Sequence, residues 1–291
     1  MRRKADNMVY DVETLKHELL KIEDKKILED KTYVDKLINS MMKHIGSTDP
    51  ILRDNLIYTN FAKFINGGVI PQSKILNMLK ICLDEEHLFY KIGEEKTDSV
   101  FTRSFSSLVV ALILANDDGT LIDAKRLVEI QAAILKYLDK ERDTRGFVGN
   151  KGWAHSIAHA ADMLTALVSH AHFRINLLSD GLKAIETCLL KDVVYQDEEE
   201  ERLIFAVEAL LDKGIEKQML INWIKGLSSN LNKEQEKHGQ TLSFYRSKIN
   251  VTNFMKSLYF RLRLMNPEDK ELLVCLEYEI HYWFRKTYGQ G

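Results

Sequence analysis

Five stretches of this chain open on polar residues, run into an apolar helical pattern, and recur roughly every 50 residues. They are "DPILRDNLIYTNFAKFI", "TDSVFTRSFSSLVVALIL", "GNKGWAHSIAHAADMLTALV", "QDEEEERLIFAVEALL" and "YRSKINVTNFMKSLYFRL". Arg53, Arg103, His155, Arg202 and Asn250 stand at comparable places near their openings. Another helical stretch separates each copy from the next. A single helix pair cannot bury its apolar faces alone and must stack on its neighbours. The pattern therefore predicts an all-α chain of stacked helix pairs, a HEAT-like α-solenoid, with a compact helical bundle as the alternative.

Apolar spacing of helical period runs from end to end, and no stretch alternates as a strand would. Helices are expected near 8–22, 27–45, 51–66, 72–82, 84–92, 99–115, 123–140, 153–170, 173–190, 198–212, 215–230, 246–265 and 268–286. Asp49-Pro50 and Asn266-Pro267 each place a capping side chain ahead of a proline suited to the first helical turn. "LNKEQEKHGQ", Leu231 to Gln240, reads as a solvated connection. Residues 1–46 are expected to pack as N-terminal helices on a helical-repeat domain over 47–291, one structural unit in all.

Composition removes several function classes. With 45% hydrophobic and 29% charged residues the chain is a globular one, and a formal net charge of −2 offers no general attraction to nucleic acid or anionic membrane. No apolar run reaches the length of a membrane span, and the basic N-terminus has no apolar core behind it. Cys82, Cys188 and Cys275 lie far apart in apolar helical stretches, as small buried residues of a reducing compartment do. The expectation is a cytoplasmic protein with no cofactor, no nucleic-acid partner and no membrane partner; its oligomeric state is open.

The most chemical stretch is "RDTRGFVGNKGWAHSIAHAADML". Set on a helix from residue 153, with about 100° per residue, His155, His159 and Asp162 share a stripe opposite an apolar face that is complete without them. Histidines at i and i+4 with a carboxylate at i+7 can hold a metal, bind an anion or move a proton; they can equally brace neighbouring helices. No metal is expected, because no third strong ligand can be named; if one binds, His155, His159 and Asp162 are its ligands. The glycines at 146, 149 and 152 let the backbone approach a helix start closely, and Arg145 and Lys151 bring positive charge to that end. Trp153 is expected to be a buried anchor, with Arg103, Arg145, Lys151 and His155 converging beside it, the arginines held by Asp143 or Asp98, and Asp162 orienting His159. Arg53, Arg103, His155, His159, Asp162, Arg202 and Asn250 are expected to face one polar groove.

"LRDNL" at 52–56, "TDSVFTRSFSSL" at 97–108, "ERDTRGFVGNKGWAHSIAHAADML" at 141–164 and "DEEEERL" at 197–203, in this order and spacing, resemble an uncharacterised bacterial family catalogued only as a domain of unknown function. The resemblance covers roughly residues 45 to 265. It implies a shared pattern at Asp98, Arg103, Asp143, Arg145, Gly146, Lys151, Trp153, His155, His159 and Asp162, and it implies no activity.

Two functions compete. The first is a binding protein whose groove takes a small anionic ligand or a peptide through Arg103, Asp143, Arg145, Lys151, Trp153, His155, His159 and Asp162. The second is a metal- or histidine-dependent hydrolase with His155, His159 and Asp162 as catalytic groups. A nucleic-acid enzyme of the helical-repeat kind is disfavoured by the near-neutral charge. No phosphate loop or dinucleotide fingerprint is present.

Overall fold

The computed structural model describes residues 9–22, 30–174, 177–265 and 267–289. Among these the chain is all-α, with one isolated bridge, Phe147 to Trp153, and no strand. The elements are α1 (Val12–Leu20), α2 (Lys31–Lys43), a π-helix (Ile51–Tyr58) running into α3 (Thr59–Asn66), α4 (Gln72–Cys82), α5 (Ser99–Ala115), α6 (Ala124–Lys140), α7 (Ser156–Ser169), α8 (Leu178–Leu189), α9 (Glu199–Asp212), α10 (Lys217–His238), α11 (Leu242–Met265) and α12 (Lys270–Tyr288). They form two compact units, Met1–His172 and Phe173–Gly291.

In the first unit α1 packs on α2 and on the π-helix, α3 and α4 pack on α5, and α5 and α6 pack on α7. The centre is α5, whose Val100, Phe101, Phe105, Val109, Val110, Ile113 and Leu114 are all buried. Each such large side chain contributes about 1.5–3 kcal/mol by leaving water. The polar residues of α5 are buried too: Arg103, Ser104, Ser106 and Ser107. The solvated face that a helix usually carries is missing here, because neighbours enclose α5 on every side. Gly46 makes one of those approaches possible, since a Cβ there would collide with Thr102 Oγ1.

In the second unit α8 packs on α9, α9 on α11, and α10 and α11 on α12. Equivalent helices run side by side and parallel within each unit. Asp98 meets Lys151, Ser104 meets His159, and Asp117 meets His170 along α5 and α7. Asp192 meets Arg246 and Glu208 meets Arg261 along α9 and α11. Ile221 meets Cys275 and Ser228 meets Trp283 along α10 and α12. These ties join residues about one repeat apart, from 53 to 55 positions.

The lower end of α5 and α7 is a polar knot. Asp117 accepts from the backbone N–H of Gly119, Leu121 and Ile122, and from His170 Nε2 at 3.0 Å. Burial alone would raise the Asp117 carboxyl; the hydrogen bonds from His170 and the three N–H groups outweigh it and hold the carboxyl below its ordinary value. A carboxylate so depressed stabilises the fold above its ordinary pKa of about 4 and loses that contribution as pH falls below it. Asp117→Asn should therefore destabilise the protein at neutral pH and flatten its acid sensitivity. Urea unfolding at neutral pH and near pH 3 checks this; equal acid sensitivity in both proteins would disprove it.

Three expected elements differ. Residues 84–92 form turns rather than a helix. The Asp84 carboxylate takes the Glu86 N–H and the His87 ring, and the carbonyls of Tyr90, Lys91 and Glu94 are drawn to the Arg103 guanidinium. The connection expected at 231–240 is instead the end of α10, which stops at Gly239, φ +74°. The helix expected from 153 begins at Ser156. Residue 8, residues 27–29 and Asn266, which fall in or beside expected helices or caps, lie outside the described residues.

Candidate functional site

The loop between α6 and α7 is fastened at nearly every residue. Glu141 ends α6 and points inward, where Arg103 grips it from Nε at 2.6 Å and Nη2 at 2.9 Å. The same carboxylate accepts the N–H of Arg142 and Asp143, both at 2.9 Å. Arg103 also reaches Ser99 Oγ and three carbonyls, so its donors are spent inside the protein. Burial acts against its charge, but the hydrogen bonds and charge of Glu141 prevail and raise its pKa. Asp143 clamps Arg145 at 2.7 and 2.6 Å, and Arg145 extends to the Thr97 carbonyl. Lys151 reaches Asp98 at 2.7 Å on the surface.

Residues 146–154 turn back on themselves. Ala154 N donates to Gly146 O, Val148 N to Gly152 O, and a 3₁₀ turn at Gly149–Lys151 closes the tip. Gly152 has φ +72°, and a Cβ there would sit 2.8 Å from Pro50 Cβ and 3.3 Å from Arg53 Nη2. Arg53 explains that crowding. The π-helix brings its buried guanidinium onto Phe101 and Phe105, with centroid distances of 4.3 and 4.6 Å. From there it donates to the carbonyls of Ser47, Lys151 and Trp153 and pairs with Asp54. A π-helical stretch is uncommon and frequently marks a functional position. Burial raises the pKa of Asp54, and the Arg53 charge offsets this only in part.

This geometry corrects the expected role of Trp153. Successive side chains of the extended stretch 152–154 alternate, so Ala154 is the buried anchor at 0% exposure and Trp153 faces out at 43%. Trp153 packs edge to face on Phe147, which is itself 55% exposed, and on His155. His155 is left-handed, φ +48°, and caps α7 rather than lying within it. Such a backbone is uncommon for a residue other than glycine.

His155 and His159 lie one turn apart, with ring centroids 5.8 Å apart, and His159 packs against the edge of Phe105. Ser104 sits between the segments: its Oγ contacts both the Ala154 carbonyl and His159 Nδ1. A carbonyl only accepts, so the hydroxyl proton goes to Ala154 and His159 Nδ1 carries the hydrogen that bonds back to Ser104. Ser104 therefore holds His159 at Nδ1, and Asp162 lies half-buried farther along α7. Among the described residues no group of three or more His, Cys, Asp or Glu side chains is arranged to hold a metal ion.

The structure thus gathers Asp143, Arg145, Lys151, Trp153, His155 and His159 around one loop. It spends Arg103 on Glu141 and backbone, away from any open face. Arg53 and Asn250, also expected in a groove, are buried; Asn250 bonds Tyr195 N and the carbonyls of Val193 and Leu189. Arg202 lies over the Phe205 ring in the second unit. Ser104, Glu141 and Phe147 escaped sequence reasoning. Glu141 had one usable signal, an acid at the end of α6 beside a loop rich in basic residues.

Residues 88–260, more than half of the chain, match the family described as Protein of unknown function (DUF2785). The chain belongs to that family. No curated protein and no solved structure matches it. The DUF2785 segment contains Arg103, Glu141, the whole glycine loop and both histidines, while Arg53 and Asp54 lie ahead of it and α12 beyond it. No helix among the described residues is long and apolar enough to cross a membrane.

Proposed function

We propose that this DUF2785 protein is a cytoplasmic, HEAT-like helical-repeat binding protein that takes a peptide segment on the aromatic ridge of the α6–α7 loop. The observation that carries the reading is the outward pair Phe147 and Trp153, held on a loop whose backbone is fastened at Lys151, Trp153 and Ala154. Exposed aromatics on a rigid support are the usual anchors of recognition, because little entropy remains to be lost on binding. A peptide is favoured over a small anion because four cations that meet the loop are already paired: Arg53 with Asp54, Arg103 with Glu141, Arg145 with Asp143, and Lys151 with Asp98. His155 and His159 flank the ridge and supply hydrogen bonds to a peptide backbone.

The test is selection of peptides from a displayed library on the whole chain, followed by titration of the best binder. Trp153→Ala and Phe147→Ala should each weaken binding at least about tenfold, a loss typical of a central aromatic anchor. Each should cost under about 1 kcal/mol of stability, since neither ring is buried. Peptides that bind both variants as tightly as the parent protein would end this reading.

A histidine-dependent hydrolase is the second reading. One observation favours it: Ser104 holds His159 at Nδ1, the kind of orienting contact a general base has. Turnover of ester or amide substrates that disappears in His159→Gln at unchanged stability would bring it forward.

A further inference from the structure

The outer side of the last helix pair carries most of the exposed large apolar side chains of the described residues. On α11 these include Ile249, Phe260 and Leu264; on α12, Val274, Tyr278, Phe284 and Tyr288. Their spacing along each helix is that of one face. Between the two helices runs a groove of about 590 Å³, lined by Ile249, Phe260 and Phe284 and by Lys248, Lys256 and Glu277. A contiguous exposed apolar face of this kind ordinarily marks a surface that something covers.

The inner side of α11 shows what covers such a face. There α9 lies parallel to α11, and its Glu208 grips Arg261 at 2.7 and 2.9 Å beside Phe205. The outer side repeats the recipe, apolar residues with two basic ones, without a covering helix. Lys248 contacts only a hydroxyl, Thr287 Oγ1, and the Tyr245 ring, and neither it nor Lys256 has an ion pair among the described residues. Burial, and then the neighbouring Lys256 charge, pushes the Lys248 ammonium down. The groove therefore holds two lysines against the single carboxylate of Glu277, a net positive charge over an apolar floor.

We propose that this groove receives an amphipathic α-helix of a partner protein whose apolar stripe carries acidic residues. Lys248 and Lys256 are eight positions apart, about 12 Å along α11, so the matching acids stand two turns apart on the incoming helix. A helix fits better than a small molecule, because the apolar faces extend to Leu264 and Val274, beyond the groove itself. A second copy of the chain fits poorly, because symmetric pairing would bring lysine-rich faces together.

The probe is a synthetic helix of about 20 residues with leucine at every third or fourth position and glutamates seven apart; a second carries lysine for glutamate. Fluorescence anisotropy with the whole chain should show the acidic helix binding and the basic one not. Lys256→Glu should weaken the acidic helix about tenfold and admit the basic one, and Phe260→Asp should weaken it as much, both with unchanged melting. Indifference to the sign of the peptide charge, or binding that survives both substitutions, overturns the proposal. So does sedimentation showing a stable dimer that Phe260→Asp dissociates, which would make a second copy the occupant, and so does no binding at all.

Discussion

Arg103→Ala should lower stability by about 3–5 kcal/mol, the cost of leaving one partner of a buried ion pair charged and alone. Arg103 and Glu141 are both fully buried, and their bidentate contact ties α5 to the end of α6. The loss should exceed that of a simple truncation, because Arg103 also satisfies carbonyls of the 90–94 turns. Arg103→Met combined with Glu141→Leu should recover part of the loss, since no charge then stays buried. Recovery stays incomplete because the N–H groups of Arg142 and Asp143 lose their acceptor. Urea unfolding of the three variants measures this. A double variant as weak as the sum of its singles, or an Arg103→Ala loss under about 1 kcal/mol, would show that the pair does not couple.

Gly152→Ala should cost about 2 kcal/mol or more, and Gly149→Ala about half as much. Both residues have positive φ, so both substitutions carry the left-handed penalty of about 1–2 kcal/mol. They differ in surroundings. A Cβ at 149 meets nothing within 4 Å, whereas at 152 it meets Pro50 and the Arg53 guanidinium. The extra loss at 152 comes from its φ +72°, ψ −152° backbone, from the push against Pro50, and from displacement of Arg53 from the carbonyls of Lys151 and Trp153. Melting curves of the two variants measure the difference; equal losses would mean that Arg53 does not hold the loop.

The helical architecture was legible because burial imposes a period on every long element. Most helix positions follow directly from apolar spacing, and the roughly 50-residue recurrence anticipated which helices lie beside which within each unit. The loop was legible as a place and misread in its orientation. Assigning a helix from Trp153 put the indole inside; one left-handed residue, His155, moved the helix start to Ser156 and turned the indole out. Histidine takes a positive φ more readily than most residues, but its identity alone does not say where one does. The turns at 84–92 were misread because apolar spacing does not show their fastening: Asp84 takes the Glu86 N–H and the His87 ring, and a guanidinium from another helix takes the carbonyls of Tyr90 and Lys91. The charges near the loop were recognised, and so was the hold of Asp143 on Arg145; the pairing of Arg103 with Glu141 and of Lys151 with Asp98 was not. Glu141 and Ser104 are ordinary residues in sequence whose importance lies wholly in what folding brings against them.

The parallel run of α5 and α7 has a consequence for how the chain collapses. Its ties, Asp98 to Lys151, Ser104 to His159, Asp117 to His170 and Gly119 to His172, all span nearly the same number of residues. Closing a loop of that length costs about 3–4 kcal/mol of chain entropy, and the cost depends only weakly on length. Whichever tie forms first meets that cost for all of them, because each later one closes only the short remaining gap. Loop closure therefore favours none of these ties over the others as a starting point, and α6 is the loop that any of them closes.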